Sequence, residues 1–175
     1  MPEMRPVGDV SEVGDVAYAF FVDGMALTVR RWTEHASDGD ETGARIELQR
    51  MHEDRSQGTE FAMATVLLGA PIWRADLFHL SAGEEPFERA HQHPRFINGE
   101  PCERVWLPDE DAADPLAWAE RVLTDGLESL LRDAGADDLY GSATQRQVAE
   151  VLPHALAAVS ACLADQPSSV PAVRG

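Results

Sequence analysis

The stretch 16–32, VAYAFFVDGMALTVRRW, decides the fold class. Val16, Tyr18, Phe20 and Val22 alternate along it, and Met25, Leu27 and Val29 resume the alternation after Asp23-Gly24. A period of two in apolar residues marks a half-buried strand. Asp-Gly between two such runs predicts a two-residue type I′ hairpin, whose central residues both need positive φ. With that turn Val22 faces Met25, Phe20 faces Leu27 and Tyr18 faces Val29. All six then lie on one side of the hairpin, which is the side to bury.

Outward from the hairpin, Glu34–Gly43 (EHASDGDETG) reads as a polar loop, and Ala44–Met51 as a third strand with Ile46 and Leu48 inward. Thr59–Leu68 is apolar on both faces, as a central strand covered on both sides would be. Gly69-Ala70-Pro71 is expected to break it. Ile72–Leu80 follows as a fifth strand, with Trp73, Ala75, Leu77 and His79 on one face. The pattern changes over 81–113, where Pro86, Pro94, Pro101 and Pro108 interrupt any period. Short extended pieces are expected there at His91–Phe96 and Glu103–Leu107. Asp114-Pro115 opens a helix as N-cap and first helical residue. Its core stripe runs Leu116, Ala119, Leu123, Leu127, Leu130, Leu131, Ala134, and Gly135 ends it. A second helix starts at Ser142, with Val148, Leu152, Ala155, Val159 and Leu163 as its stripe. Pro153 inside it is expected to kink or split it near Val151–Leu152.

Strands first and helices second predict an α+β domain over 16–164. Its architecture is an antiparallel, curled or barrel-like sheet of about five strands, then a long loop, then two C-terminal helices packed on the sheet. Residues 1–15 read as a flexible lead-in and 165–175 as a disordered tail. At 175 residues the chain can bury a core without disulfides or structural metal. Cys102 and Cys162 have no CxxC partner and read as reduced thiols of a cytoplasmic protein.

Lys+Arg number 14 against 31 Asp+Glu, a net charge of -17, and every one of the 14 is Arg. The absence of Lys points to a GC-rich bacterial coding sequence. So acidic a chain is not a default binder of nucleic acid, which demands a cationic surface. It is equally unsuited to an anionic membrane surface. No purely apolar run approaches the roughly 20 residues of a membrane span.

The sharpest chemical signal is His91-Gln92-His93-Pro94. The residue before a proline is pushed to extended backbone, where positions i and i+2 point the same way. His91 and His93 would then converge as metal ligands or as general acid and base. His79 and Glu100 are candidate further ligands, with Cys102, Glu103 and His52 behind them. Two imidazoles with a carboxylate suit iron; three nitrogens or a thiolate suit zinc. Gly83, His91-x-His93 and Glu100 are loosely similar to the first motif of the cupins, a family of metal-binding β-barrels. The spacings differ on both sides and 108–175 holds no second motif, so the family is not assigned.

Arg74, Arg89, Arg95 and Arg104 flank the same segment. They would either build a local positive pocket for a carboxylate or phosphate or pair with neighbouring acids such as Asp76, Glu100 and Glu103. Trp73 and Trp106 could wall such a pocket. No phosphate loop, GxSxG elbow, HExxH or CxxC motif is present. Two functions follow as expectations. The first is a small-molecule pocket protein, with a small enzyme centred on His91 and His93 acting on an acidic or aromatic compound. The alternative is an acidic interaction domain of the inhibitor or immunity type, without chemistry, steered to a basic protein partner by its charge. A homodimer is compatible with both.

Overall fold

The computed structural model describes residues 17–36, 39–54, 65–78 and 90–164. Strands β1 (Ala17–Val22) and β2 (Met25–Ala36) form the hairpin in the expected register, Val22 opposite Met25, Phe20 opposite Leu27 and Tyr18 opposite Val29. Its turn differs from the expected type. Gly24 has φ 71° while Asp23 stays in the ordinary region, so the turn is not I′. Tertiary bonds hold it instead: Gln147 accepts from the Asp23 amide (2.7 Å) and the Gly24 carbonyl accepts from the Met51 amide (2.9 Å).

The sheet is antiparallel and continues through β3 (Gly39–Asp54), β4 (Thr65–Leu77) and β5 (His91–His93). A two-residue hairpin pair, β6 (Phe96–Ile97) and β7 (Glu100–Pro101), stands apart from it, and β8 (Val105–Trp106) returns beside β5. The order β1-β2-β3-β4-β5-β8 leaves β1 and β8 as opposite edges, so the fold is an open α+β sheet of six strands and not a closed barrel.

Two strand readings are corrected. Glu34–Gly43 is not all loop, because β2 and β3 stay paired out to Ala36 opposite Gly39. A backbone ladder does not require apolar side chains, and a polar composition conceals its continuation. Gly69-Ala70-Pro71 does not end a strand either. It lies within β4, where the register against β3 shifts around Gln49, which pairs with Pro71. Pro has no amide to donate, and a bulge is where a ladder tolerates it. Two expected strands are therefore one, while the extended pieces expected at His91–Phe96 and Glu103–Leu107 supply β5, the start of β6, and β8.

The helices follow as α1 (Asp109–Ala113), α2 (Pro115–Thr124), α3 (Leu127–Asp133), a 3-10 turn at Asp137–Leu139, and α4 (Ser142–Ala164). Asp114 caps α2 as expected, accepting from the Ala117 amide at 3.1 Å. The single helix expected over 115–134 divides at Asp125-Gly126. A side chain at Gly126 would meet the Val122 carbonyl at 2.9 Å, so this close turn requires glycine. Pro153 does not split α4. By length and composition α4 could cross a membrane, but here Val148, Leu152, Val159 and Leu163 are buried and α4 packs on β1, β2 and β3. The core joins Leu27, Ile46, Leu48, Trp73, Ala75 and Leu77 of the sheet to Leu123, Leu127 and Leu131 of α2 and α3. Residues 1–16 and 165–175, with His79, Gly83 and Arg89, lie outside the described residues.

Alternation gives the sheet two unlike faces. The row Val29–Ile46–Ala75–Gln92 faces the helices, and the neighbouring row Arg30–Arg45–Asp76–His91–Trp106 faces the other way. Glu47, Arg74 and His93 share that second face, while Arg31 and Arg50 fall on the first.

Candidate metal centre

Arg74-Ala75-Asp76 on β4 lies antiparallel to His93-Gln92-His91 on β5, with Arg74 opposite His93 and Asp76 opposite His91. Residues two apart in a strand share a face, so these four side chains meet on one surface while Ala75 and Gln92 turn to the core. Gln92 accepts from the Trp73 indole at 2.9 Å, which fixes the register from the core side. The convergence of His91 and His93 expected from the HxHP pattern is present, with ring centroids 5.1 Å apart.

Asp76, His91 and His93 are buried, at 2%, 2% and 4% exposure, and one ligand atom from each lies within 4.8 Å of the others. His91 Nε2 is 3.4 Å and His93 Nε2 3.8 Å from the same carboxylate oxygen, Asp76 Oδ2. The other oxygen, Oδ1, is taken by Arg45 Nε at 2.6 Å. Metal-bound carboxylates are commonly anchored in this way by an outer partner.

The tautomer of His93 follows from its other nitrogen. Nδ1 lies 2.8 Å from the Glu103 carbonyl, which can only accept, so Nδ1 carries the hydrogen. Burial, and then the nearby Arg74 charge, push the His93 pKa below the ordinary imidazole value. The ring is therefore neutral, and Nε2 presents a lone pair. That buried atom has no hydrogen-bond partner among the described residues. It faces a carboxylate oxygen, acceptor against acceptor. Burial would raise the Asp76 pKa, but bonding to His91 and the Arg45 and Arg74 charges outweigh it and hold the carboxyl well below the usual range. Two electron-rich atoms brought together in a buried site could be bridged by a cation.

An aromatic wall surrounds the cluster. Trp106 is edge-on to His91 with centroids 5.2 Å apart, and Phe78 lies 6.3 Å from it. Trp32 packs edge-on against Phe78 at 4.9 Å. Gly43 makes room for this, since a Cβ there would meet the Leu77 carbonyl at 2.5 Å and the Trp32 ring at 2.9 Å. Phe96, in the Asn98-Gly99 hairpin, packs near His93 and carries Arg74 above its ring at 5.9 Å. Asn98 and Gly99 both have positive φ, 53° and 84°, as a type I′ turn requires.

The other residues singled out from the sequence separate. Glu100 is exposed on β7 and His52 is exposed on β3, and neither belongs to a ligand cluster among the described residues. Glu103 contributes its carbonyl rather than its carboxylate. Trp73 cannot wall this site: it is 1% exposed on the helix face, against Trp118. Its position in the alternation, odd where Arg74 and Asp76 are even, is the reason. Arg74 reaches Asp76 Oδ2 at 3.1 Å, Arg95 is exposed and pairs with Glu103 at 3.8 Å, and Arg104 stacks over Trp106 at 5.3 Å. His79 and Arg89 are outside the described residues. Cys102 is exposed, Cys162 is buried, and the two are not joined in a disulfide.

Asp76 is the member of the cluster that sequence reading missed; from the sequence it is only an ion-pair partner for Arg. Its signal was available as a lone acid inside the apolar alternation Trp73-x-Ala75-x-Leu77. The register that sets it against HxH was not. Comparison of the chain with known protein families, with curated proteins and with solved structures finds no match.

Proposed function

We propose that the protein is a small-molecule protein built around a divalent metal held by Asp76, His91 and His93. The observation that supports this reading is the buried lone pair of His93 Nε2, without a hydrogen-bond partner among the described residues and 3.8 Å from Asp76 Oδ2. A metal ion between these atoms would convert a repulsion into two bonds, with His91 as the third ligand. Two imidazoles and one carboxylate on one side of an ion leave the opposite positions for water or a small molecule. That donor set is the one used by non-haem iron(II) sites, and zinc is also compatible with it. Arg45 and the Glu103 carbonyl would be the outer partners that orient the ligands.

Elemental analysis of protein purified without a histidine tag, after anaerobic exposure to iron(II) or zinc, tests the reading. Stoichiometric metal is expected in the wild type and its loss in Asp76→Ala and in His91→Ala/His93→Ala, with folding checked by circular dichroism. A folded wild type that takes up neither metal refutes it.

A further inference from the structure

The two rows of the sheet that form the proposed centre carry more Arg than acid, in a chain whose net charge is -17. By register these two rows bear Arg30, Arg45 and Arg74 against Glu47 and Asp76. Glu47 is already engaged, accepting from Gln49 at 2.9 Å. Asp76 is shared by Arg45, Arg74 and the two imidazoles. A divalent ion added here leaves the described residues of this low-dielectric site with excess positive charge, which an exogenous anion at the open positions would neutralise.

Arg74 is placed to select that anion. Its Nε is buried and comes within 3.1 Å of Asp76 Oδ2, yet makes no hydrogen bond among the described residues. Its guanidinium is steadied over Phe96, while 18% of the side chain remains exposed. An arginine in this setting offers a planar fork to a planar oxyanion. On the same side Trp106, 48% exposed, presents a ring to whatever the anion carries.

Resting on the metal reading above, we propose that the centre takes a small carboxylate, bound jointly by the metal and by the Arg74 guanidinium, with its apolar part against Trp106. The local charge favours an anion; the guanidinium fork and the adjacent indole favour a carboxylate attached to an apolar body.

Cobalt(II) serves as a coloured substitute for the native ion, and benzoate as the probe. Saturable change of the cobalt visible bands by benzoate, with none from the neutral isostere benzamide, is the expected result. Arg74→Gln loaded to saturation with cobalt should bind benzoate about tenfold or more weakly, since a charge-assisted bidentate contact is lost. Arg74→Lys, which keeps the charge without the fork, should fall between. Cobalt bands that benzoate leaves unchanged overturn the carboxylate proposal and leave the metal reading standing. So does equal benzoate affinity in wild type and Arg74→Lys, should Arg74→Gln fail to fold. Failure of folded wild type to bind cobalt removes the metal reading and this proposal together.

Discussion

His93 has to stay neutral in the folded, metal-free protein, and this couples stability to pH. Burial, reinforced by Arg74, lowers its folded-state pKa. The unfolded chain titrates near the ordinary imidazole value of about 6.5. As pH falls below that value the unfolded state takes up the proton first, so stability is full above it and is lost toward the lower folded-state pKa. Asp76, held well below the ordinary carboxylate range, remains ionised through this window and does not confuse the signal. Chelator-treated protein should therefore melt at progressively lower temperature from about pH 7 to pH 5. His93→Gln should flatten the dependence, and an unaltered slope in that variant would show that another group is responsible. At this scale HxHP was legible, because backbone sterics before a proline and a strand period of two are local. Asp76 was not, because its role depends on which strand lies beside it.

Strand pairing is where the site is assembled. The β4–β5 register sets Asp76 against His91 and Arg74 against His93, and a slip of one residue would turn the histidines into the core. Gly43 belongs to the same construction on β3. Gly43→Ala is expected to destabilise the fold by about 1–3 kcal/mol, because the new Cβ would meet the Leu77 backbone carbonyl as well as the Trp32 ring. Urea denaturation measures this directly, and a loss within error would mean that the β3–β4 backbone yields more readily than packing suggests. The first hairpin was readable from alternation and Asp-Gly, and its register survived a different turn type. The β6–β7 hairpin announced itself equally plainly in Asn98-Gly99, but its two-residue strands carry too little alternation to be noticed. Gly69-Ala70-Pro71 misled for a physical reason. Residues that stop a regular strand also make a bulge, and only the partner strand decides between these outcomes.

The molecule distributes its acids unevenly. Acids concentrate on the helices, with Asp109, Glu110 and Asp111 in the first turn of α1 and Asp137 and Asp138 before α4, while Arg30, Arg45 and Arg74 gather on the far face of the sheet. Self-repulsion among the acids opposes compaction and is screened by salt. Thermal stability is accordingly expected to rise between roughly 0.05 and 0.5 M sodium chloride. A flat response would mean that the Arg-bearing face and ion pairs such as Arg50–Asp138 (2.7 Å) already balance the repulsion. The sequence by itself determined the fold class, the first hairpin, the sheet-then-helix order and the apolar stripes, since alternation, capping and helical period are properties of neighbours in the chain. Tertiary structure alone decided that two expected strands are one, that Trp73 belongs to the core, and that Asp76 joins the histidines. Those outcomes depend on backbone pairing between β4 and segments far along the chain, and no local pattern encodes which residues will stand opposite each other.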